Sequence, residues 1–265
     1  IALKRAGIKS KDIQLIIVAT ITADMPFPSV ASLLQNKLGA KEACAFDISA
    51  ACAGFIYALT VASQFLATGF YKNALVIGSE VLSAFTDWQD RSTCVLFGDG
   101  SAAAVLVPSK KRSFLGSYLA CDGSSSDLLC IPAGGSRLPP SLDTVKNRLH
   151  YIKMQGNELF KLAVRAMVDA AEKAAKKANI NISNIDLFIP HQANLRIINA
   201  VTQRLNISLD KVYVNISRYG NTSAASVPIA LTEAYEEGRI KKDDLIVLDA
   251  FGGGLVWASC VIKWI

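Results

Sequence analysis

Apolar and polar positions along the chain form two kinds of segment: short runs that are almost entirely apolar, and longer segments with helical spacing. The run Leu15–Ile21 contains one polar residue, which is typical of a strand covered on both faces in a parallel sheet. The predicted strands are Leu15–Ile21, Ala43–Ile48, Ala74–Ser79, Thr93–Phe97, Ala102–Pro108, Leu149–Met154 and Leu187–Ile189, and the predicted helices are Val30–Lys37, Gly54–Ala67 and Asn157–Lys177. This alternation of strands and helices indicates the α/β class.

The chain also repeats itself. AGIKSKDIQLIIVAT, from Ala6, resembles ANINISNIDLFIPHQ, from Ala178, with the apolar positions matched at a constant offset of 172 residues. Further matches follow in the same order, pairing Lys37-Leu38 with Arg204-Leu205, Phe46–Ser49 with Val214–Ser217, Ala58-Leu59 with Ala230-Leu231, and Ala74–Ile77 with Asp244–Val247. We therefore predict a duplicated unit with halves at residues 1–148 and 149–265. A predicted strand and a long helix precede the second copy, whereas only a helix tail, Ile1–Gly7, precedes the first. We therefore expect at least about two dozen residues to be missing from the start of the first copy.

The stretch Ile48–Tyr71 carries no charge, which raises the question of a membrane-spanning helix. Its counterpart in the second copy is also uncharged, from Tyr219 to Thr232. The stretch divides into a strand end, a turn of small residues and a helix. We therefore expect two helices buried between two sheets rather than a membrane span.

Composition narrows the possible classes. Apolar residues make up 51% of the 265 residues and charged residues 19%, with a mean hydropathy of +0.32, which excludes a disordered chain. The net charge of +6 could attract acidic or phosphate-bearing partners or reflect an ordinary surface, and no basic run indicates nucleic-acid binding. The six cysteines form no CxxC pair and have no histidine at metal spacing, which predicts a reduced, cytosolic chain without disulfides or zinc. Without a signal peptide or initiator Met, the chain is expected to begin inside a longer protein.

Cys52 lies in DISAACAG, where a predicted strand ends, small residues follow and a long helix begins. A thiol at a helix N-terminus experiences the positive end of the helix dipole, which favours the thiolate. The small neighbours allow a tight turn that leaves the sulfur approachable, as in a nucleophile elbow with cysteine in place of serine. Cys52 is thus a candidate nucleophile, and the alternative is a small core cysteine.

The chain has two histidines. His191 directly follows the predicted strand Leu187–Ile189, and α/β sheets place active sites at the C-terminal ends of their strands. It is therefore a candidate catalytic residue. His150 precedes a predicted strand without an evident partner, and a surface or packing role is the better interpretation.

The repeat suggests a counterpart for the cysteine in RYGNTSAAS. Matching the copies at Ser49 and Ser217 places Cys52 opposite Gly220 and Asn221. Two symmetry-related helix N-termini would then face one crevice, which the candidate histidine reaches from its own strand end. The alternative for Asn221 is a turn or capping residue.

Four segments carry a resemblance to a known family: DISAACAGFIYAL, PHQANLRII, RYGNTSAASVP and DAFGGGLVWAS, in order over nearly the whole chain. Together they resemble β-ketoacyl-acyl-carrier-protein synthase III, a condensing enzyme of the thiolase-like superfamily. A Cys-His-Asn set marks type III enzymes and plant-type polyketide synthases, whereas types I and II use Cys-His-His, and GNTSAAS favours type III. The resemblance implies a five-layered αβαβα sandwich of two similar halves, assembled as a homodimer.

The resemblance also implies a two-stage reaction. Acetyl-CoA would acylate Cys52, and malonyl-acyl-carrier protein would then lose CO₂ and attack the acetyl group, giving acetoacetyl-carrier protein and initiating fatty-acid synthesis. His191 and Asn221 would donate to the enolate oxygen, while the backbone N–H groups of Cys52 and Gly253 would bind the acetyl carbonyl. No metal or cofactor is implied, because acetyl-CoA is a substrate.

Further positions carry over from the family. Arg91, in the segment Trp88–Arg91, would lie near the CoA nucleotide, and Asn157 and Asn194 would line the pantetheine tunnel. Phe27 would reach across the dimer interface to the floor of the acyl pocket, where an aromatic residue favours a short primer. A basic patch for the acidic carrier protein would consist of Lys161, Arg196 and Arg204. A solvated charged face is the alternative interpretation of this patch.

Three other functions fit part of the sequence. A related Cys-His-Asn enzyme could use another primer or acceptor, such as a branched acyl-CoA or an alkylquinolone-type precursor. A nucleotide-binding module is suggested by the predicted turn Gly98-Asp99-Gly100 and by FGGG, but neither has GxGxxG spacing before a helix. A catalytically inactive scaffold is disfavoured because Cys52, His191 and Asn221 are all present.

Overall fold

The strands of the computed structural model, which describes residues 1–265, form two four-stranded sheets and one two-stranded sheet. They are β1 (Leu15–Ala19), β2 (Cys44–Ile48), β3 (Ala74–Val81), β4 (Asp99–Leu106), β5 (Phe114–Cys121), β6 (Leu129–Cys130), β7 (Lys153–Met154), β8 (Leu187–Pro190), β9 (Leu245–Gly252) and β10 (Val256–Lys263). The first sheet has the order β2-β1-β3-β4 and the second β5-β10-β9-β8, while β6 pairs with β7. Strand β1 pairs in parallel with β2 and β3, and the edge strand β8 pairs in parallel with β9.

The helices lie on both sides of each large sheet. They are α1 (Ala2–Ala6), α2 (Val30–Leu38), α3 (Gly54–Ala67), α4 (Leu142–Lys146), α5 (Gly156–Lys177), α6 (Leu195–Arg204), α7 (Ile216–Tyr219) and α8 (Ser226–Glu236). Helix α2 packs on the outer face of the first sheet, α3 and α8 lie between the sheets, and α5 and α6 cover the second sheet. This arrangement confirms the predicted α/β class and the five αβαβα layers.

The apolar run of β1 is explained by burial on both faces. Ile16 and Val18 pack beneath α2, whereas Leu15 and Ile17 pack against the central helices. Strand β8 alternates in the same way between the central helices and the outer pair α5 and α6. A strand with helices on both sides has no solvent-facing position, so the alternation of apolar and polar residues disappears.

Helix α3 contains most of the uncharged stretch. It contacts strands of both large sheets, and its buried residues are Gly54, Phe55, Ile56, Ala58, Leu59 and Ala62. Burial against two sheets accounts for a helix without a charged face. None of the helices combines the length and the apolar character needed to cross a membrane.

The two halves repeat a tight turn at the start of their central helices. In the first half it is the 3-10 turn Ala51–Ala53, which we call the first elbow, and in the second half it is Ser223–Ala225, the second elbow. The leading residue of each has a positive φ, 42° at Ala51 and 47° at Ser223. Positive φ is uncommon outside glycine, so its recurrence at the sequence offset of 172 residues supports the duplication.

This correspondence corrects one prediction. Cys52 is the second residue of the first elbow, so its counterpart is Ala224, and the prediction that it lies opposite Gly220 and Asn221 is wrong. The error arises because the second half carries an additional segment, containing α7, between its strand end and its elbow. Asn221 lies in that segment, just ahead of the second elbow.

The prediction of a strand at Thr93–Phe97 is also wrong. These residues form turns, the last of them makes an isolated bridge with Asn221, and Gly98-Asp99-Gly100 leads into β4 instead of forming a free turn. A Cβ on Gly98 would lie 2.1 Å from the carbonyl oxygen of Tyr219. The glycine is needed where the two halves cross, a contact that the local pattern does not reveal.

The predicted boundary between residues 148 and 149 needs correction as well. Strand β5 precedes that boundary, yet it pairs antiparallel with β10 in the second sheet. The second half therefore begins before Phe114. Of the predicted strand Leu149–Met154, only Lys153–Met154 is extended, and it pairs with β6 outside both large sheets.

We expect Gly78→Ala to destabilise the fold. The new Cβ would lie 2.4 Å from the carbonyl oxygen of Ala224, so β3 and the second elbow must separate. Overpacking of this kind costs about 1–3 kcal/mol, which urea unfolding followed by tryptophan fluorescence would measure. Gly123→Ala is the matched control, because a Cβ there meets no atom within 4 Å. Equal unfolding midpoints for the two variants would contradict the close contact.

Candidate active site

The first elbow places Cys52 at the wall of a cavity of about 440 Å³. The residue is 9% exposed and lies between β2 and α3. Ser223 of the second elbow and Gly253 of the β9–β10 turn border the same cavity. Apolar side chains form most of the remaining lining, among them Ile21, Leu82, Phe97, Leu129, Ile131, Ile152 and Val256. Both halves therefore meet at the candidate nucleophile.

Burial decides the protonation state of Cys52. The loss of hydration raises the pKa of the thiol to about 12, an increase that the nearby Ser223 hydroxyl opposes and the Glu80 carboxylate reinforces. Desolvation thus opposes the effect predicted for the helix N-terminus, which favours the thiolate. At neutral pH the residue is a thiol.

Glu80 is a buried acidic residue next to this site, and its side chain holds both halves together. It is 2% exposed, and one carboxylate oxygen accepts hydrogen bonds from the hydroxyls of Thr22 and Thr20, at 2.7 and 3.2 Å, and from the N–H of Ile21 at 3.1 Å. The other oxygen accepts from the N–H of Ala224 at 3.5 Å. Burial raises the pKa of Glu80, while these donors favour the ionised form.

His191 follows β8, as predicted, and its backbone N–H donates to the carbonyl oxygen of Asp249 at 2.7 Å. The side chain is 1% exposed, and burial lowers the pKa of the imidazole to about 3, so it is neutral at neutral pH. Its Nδ1 lies 2.6 Å from Oγ of Ser226, at the start of α8. Nε2 has no partner in the chain and is not sealed from solvent.

Asn221 is held by its backbone and by its own side-chain oxygen. Its N–H donates to the carbonyl of Leu96, and its carbonyl accepts from the N–H of Gly98. Oδ1 accepts from the backbone N–H of Ser223 at 2.9 Å, which fixes the orientation of the amide. Nδ2 therefore remains as a donor without a partner in the chain, and it is not sealed from solvent.

The structure gathers the candidate catalytic residues around the two elbows. Cys52 and Gly253 line the cavity directly. His191 and Asn221 do not line it, but each is hydrogen-bonded to a residue in or next to the second elbow, which forms part of its wall. The thiol of Cys52, the neutral ring of His191 and the amide of Asn221 are thus held around the contact between the two elbows.

The glycines of FGGG allow the end of β9 to approach the first elbow closely and the following turn to approach β6. A Cβ on Gly252 would lie 2.6 Å from the backbone nitrogen of Cys52, and one on Gly253 would lie 2.8 Å from the carbonyl oxygen of Leu129. The N–H of Gly253 makes no hydrogen bond within the chain. It is available as a second donor beside Cys52, as the predicted oxyanion hole requires.

The remaining predicted positions lie outside this cluster. Arg91 is exposed in a turn, and Asn157 is exposed in the first turn of α5. Asn194 is half-buried and caps α6, its Oδ1 accepting from the N–H of Ile197 at 2.9 Å. Phe27 is 84% exposed. The three basic residues predicted as a patch are all exposed on the neighbouring helices α5 and α6: Lys161, Arg196 and Arg204.

Three residues near the site were not identified from the sequence. Glu80 stands out only as the single acidic residue of an apolar strand, and Ser226 ends the quoted motif without a signal of its own. Asp87 is 4% exposed and accepts hydrogen bonds from Arg148 and Lys153, which anchor the turn that carries Arg91. No group of three His, Cys, Asp or Glu side chains is arranged to hold a metal ion.

Comparison with protein families gives two matches. A profile of 3-oxoacyl-[acyl-carrier-protein (ACP)] synthase III matches residues 46–123, and a profile of the C-terminal part of the same enzyme matches residues 175–264. The matched ranges include the first elbow and the second elbow respectively. The two profiles therefore match both parts of the chain that form the candidate site.

Individual relatives match nearly the whole chain. The beta-ketoacyl-[acyl-carrier-protein] synthase III of Natranaerobius thermophilus is 57% identical, with 100% of this chain and 82% of the relative covered. The enzyme of the same name from Clostridioides difficile is 53% identical, with 99% and 80% covered. The crystal structure of 3-oxoacyl-[acyl-carrier-protein] synthase III from Aquifex aeolicus has a TM-score of 0.91 and 48% identity over 99% of this chain and 81% of that one.

The raised pKa of Cys52 predicts a specific pH profile for alkylation. The thiolate is the reacting species, so the rate at Cys52 should rise about tenfold per pH unit from pH 7 to pH 10 without a plateau. Iodoacetamide labelling with site-resolved peptide mass analysis measures this rate. The same protein unfolded in urea is the control, where a plateau is expected above about pH 9. A plateau below pH 8 in the folded protein would show instead that the helix N-terminus stabilises the thiolate.

Proposed function

Since the chain belongs to the 3-oxoacyl-[acyl-carrier-protein] synthase III family, we propose that it condenses acetyl-CoA with malonyl-acyl-carrier protein. The products are acetoacetyl-acyl-carrier protein, CoA and CO₂, and the reaction initiates fatty-acid synthesis. The observation that carries the proposal is the juxtaposition around two elbows of one buried thiol with two nitrogens that have no partner in the chain, His191 Nε2 and Asn221 Nδ2.

The first stage transfers the acetyl group to Cys52. The sulfur attacks the carbonyl carbon of acetyl-CoA, the bond to the CoA sulfur breaks, and the thiol proton passes to the departing CoA thiolate. A protonated resting thiol suits this exchange because the proton that leaves the enzyme is the one the leaving group needs. The N–H groups of Cys52 and Gly253 are proposed to bind the carbonyl oxygen as it becomes negative.

The second stage forms the carbon–carbon bond. Malonyl-carrier protein loses CO₂, and the electron pair of the broken bond forms an enolate, whose oxygen is proposed to lie between His191 Nε2 and Asn221 Nδ2. The enolate carbon attacks the acetyl carbon, and Cys52 leaves as a thiolate that regains a proton from water. Decarboxylation needs no strong base, which agrees with a histidine that burial keeps neutral.

The proposal extends to substrate contacts outside the cluster. Arg91 is proposed to contact the CoA nucleotide, and Asn157 and Asn194 the pantetheine arm. Each is at least partly exposed and polar, and the turn of Arg91 is anchored through the Asp87–Arg148 pair. A cavity of about 440 Å³ with a mainly apolar lining suits a short acyl primer.

Assembly and location also belong to the proposal. Phe27 is 84% exposed and Met25, nearby, 44%, so the pairing of two copies would remove apolar surface from water, and Phe27 would close the acyl pocket of the partner. All six cysteines are free thiols, which favours the reducing cytosol.

The proposed roles predict a separation of the two stages by mutation. Incubation with acetyl-CoA should label Cys52, as measured by peptide mass analysis, and Cys52→Ala should remove both the label and condensation. His191→Ala and Asn221→Ala should still be acetylated but should lower CO₂ release from malonyl-carrier protein by about 10²–10³, the usual effect of losing one oxyanion donor. Thermal unfolding of each variant controls for folding. Absence of label, or label only at another residue, would overturn the proposed function.

Docking of the carrier protein gives a second test. The acidic carrier should be attracted by the basic residues on α5 and α6, so Lys161→Glu and Arg204→Glu should each raise its KM several-fold, most strongly at low salt. Acetylation of Cys52 by acetyl-CoA should not change, because the patch lies apart from the cavity. Lys41→Glu, an exposed charge change beyond α2, is the matched control. Equal effects of all three variants would identify the patch as an ordinary charged surface.

A further inference from the structure

We infer that Ser226 is a positioning residue that holds His191 in the tautomer with its proton on Nε2. Ser226 is 2% exposed and begins α8, directly after the second elbow. Its Oγ lies 2.6 Å from Nδ1 of His191, so the two atoms share one proton in a short hydrogen bond. If Ser226 donates this proton, the proton of the neutral ring lies on Nε2. If Nδ1 donates it, Nε2 is unprotonated.

The surroundings of Ser226 settle the direction of this hydrogen bond. The backbone N–H of Gln192 points to Ser226 Oγ at 3.4 Å, a weak contact in which the hydroxyl oxygen accepts. The hydroxyl proton has one acceptor within hydrogen-bond distance, Nδ1 of His191. If Nδ1 carried a proton instead, the hydroxyl oxygen would face two donors, and its own buried proton would have no acceptor. Because unsatisfied buried polar groups are disfavoured, Ser226 donates and Nδ1 accepts.

The backbone around the histidine keeps this geometry. The side chain of Gln192 donates to the carbonyl of Pro190 at 2.7 Å and accepts from the N–H of Asn215 at 3.0 Å. The N–H of His191 itself donates to Asp249 in β9 at 2.7 Å. Hydrogen bonds on both sides therefore fix the backbone that carries the His191 ring. Ser226 determines the tautomer of that ring.

The consequence rests on the proposed function. With Nδ1 unprotonated, the proton of the neutral ring lies on Nε2, which has no partner in the chain. This nitrogen is then a donor and acts together with Nδ2 of Asn221 on an enolate oxygen. The opposite tautomer would present a lone pair to that oxygen and repel it. Ser226 thus acts through His191 without touching the substrate.

Imidazole ¹⁵N NMR tests the assignment directly, because the chain has only two histidines. His150→Gln assigns the spectrum, since His150 bonds through Nε2 to Thr144 and lies outside the site. We expect His191 at pH 7 to show a protonated Nε2 and an unprotonated Nδ1. A protonated Nδ1 in the wild-type protein would overturn the inference, and this measurement needs no variant at Ser226.

Two variants then connect the tautomer to Ser226. Ser226→Ala should move the spectrum of His191 towards a mixture of tautomers and lower CO₂ release from malonyl-carrier protein about ten- to a hundredfold, with acetylation of Cys52 retained. Ser223→Ala removes another buried hydroxyl next to the same turn and should leave the tautomer of His191 unchanged. An unchanged spectrum in Ser226→Ala would also overturn the inference. A protonated Nε2 in a protein that releases no CO₂ would instead contradict the proposed function and leave the tautomer assignment standing.

Discussion

The contact between the two elbows is the constraint on which the rest of the site depends. Each half of the molecule presents a tight turn at the start of a central helix, and a strand of the other half passes so close to it that only glycine fits. Gly252 approaches the backbone nitrogen of Cys52, and Gly78 approaches the carbonyl of Ala224. Because the backbones touch, the positions of the thiol, the Gly253 N–H and the second elbow are fixed by the packing of whole layers rather than by flexible side chains.

The same packing controls the electrostatics. A site enclosed between two sheets is desolvated, so Cys52 remains a thiol, which the nearby charge of Glu80 also favours, and His191 remains neutral. Neutral N–H donors in a largely buried site act more strongly than they would in water, because less solvent competes for a developing charge. Under the proposed function, the fold therefore supplies polar N–H groups for enolate-like charge without placing a fixed charge on His191 or Asn221.

The features that could be predicted from the sequence follow from local patterns. The roles of the residues that were missed depend on partners distant in the sequence. The strand β1, the helix α3 and the position of Cys52 between a strand and a helix follow from patterns within about ten residues. Thr93–Phe97 is predicted as a strand because its residues favour extended structure, yet the N–H groups of Thr93 and Cys94 donate to the Asp90 carbonyl and form turns there. Glu80 and Ser226 had no local signal, because their partners come from other parts of the chain. For Glu80 and Ser226 the tertiary contact, not the propensity of the segment, decides the role of the side chain.

The departures from symmetry between the halves explain how one duplicated scaffold divides its chemistry. Cys52 and Ala224 occupy equivalent positions, so only the first elbow carries a thiol. The second half has an additional segment, containing α7, that brings Asn221 against its elbow, and its helix begins with Ser226 where the first half has Gly54. A side chain at Gly54 would meet Ala19 and Ala224, so this position must stay small, whereas Ser226 has room to reach His191. Under the proposed function, covalent attachment belongs to the first half and stabilisation of the enolate to the second, and the contact between the elbows joins the two halves into a single site.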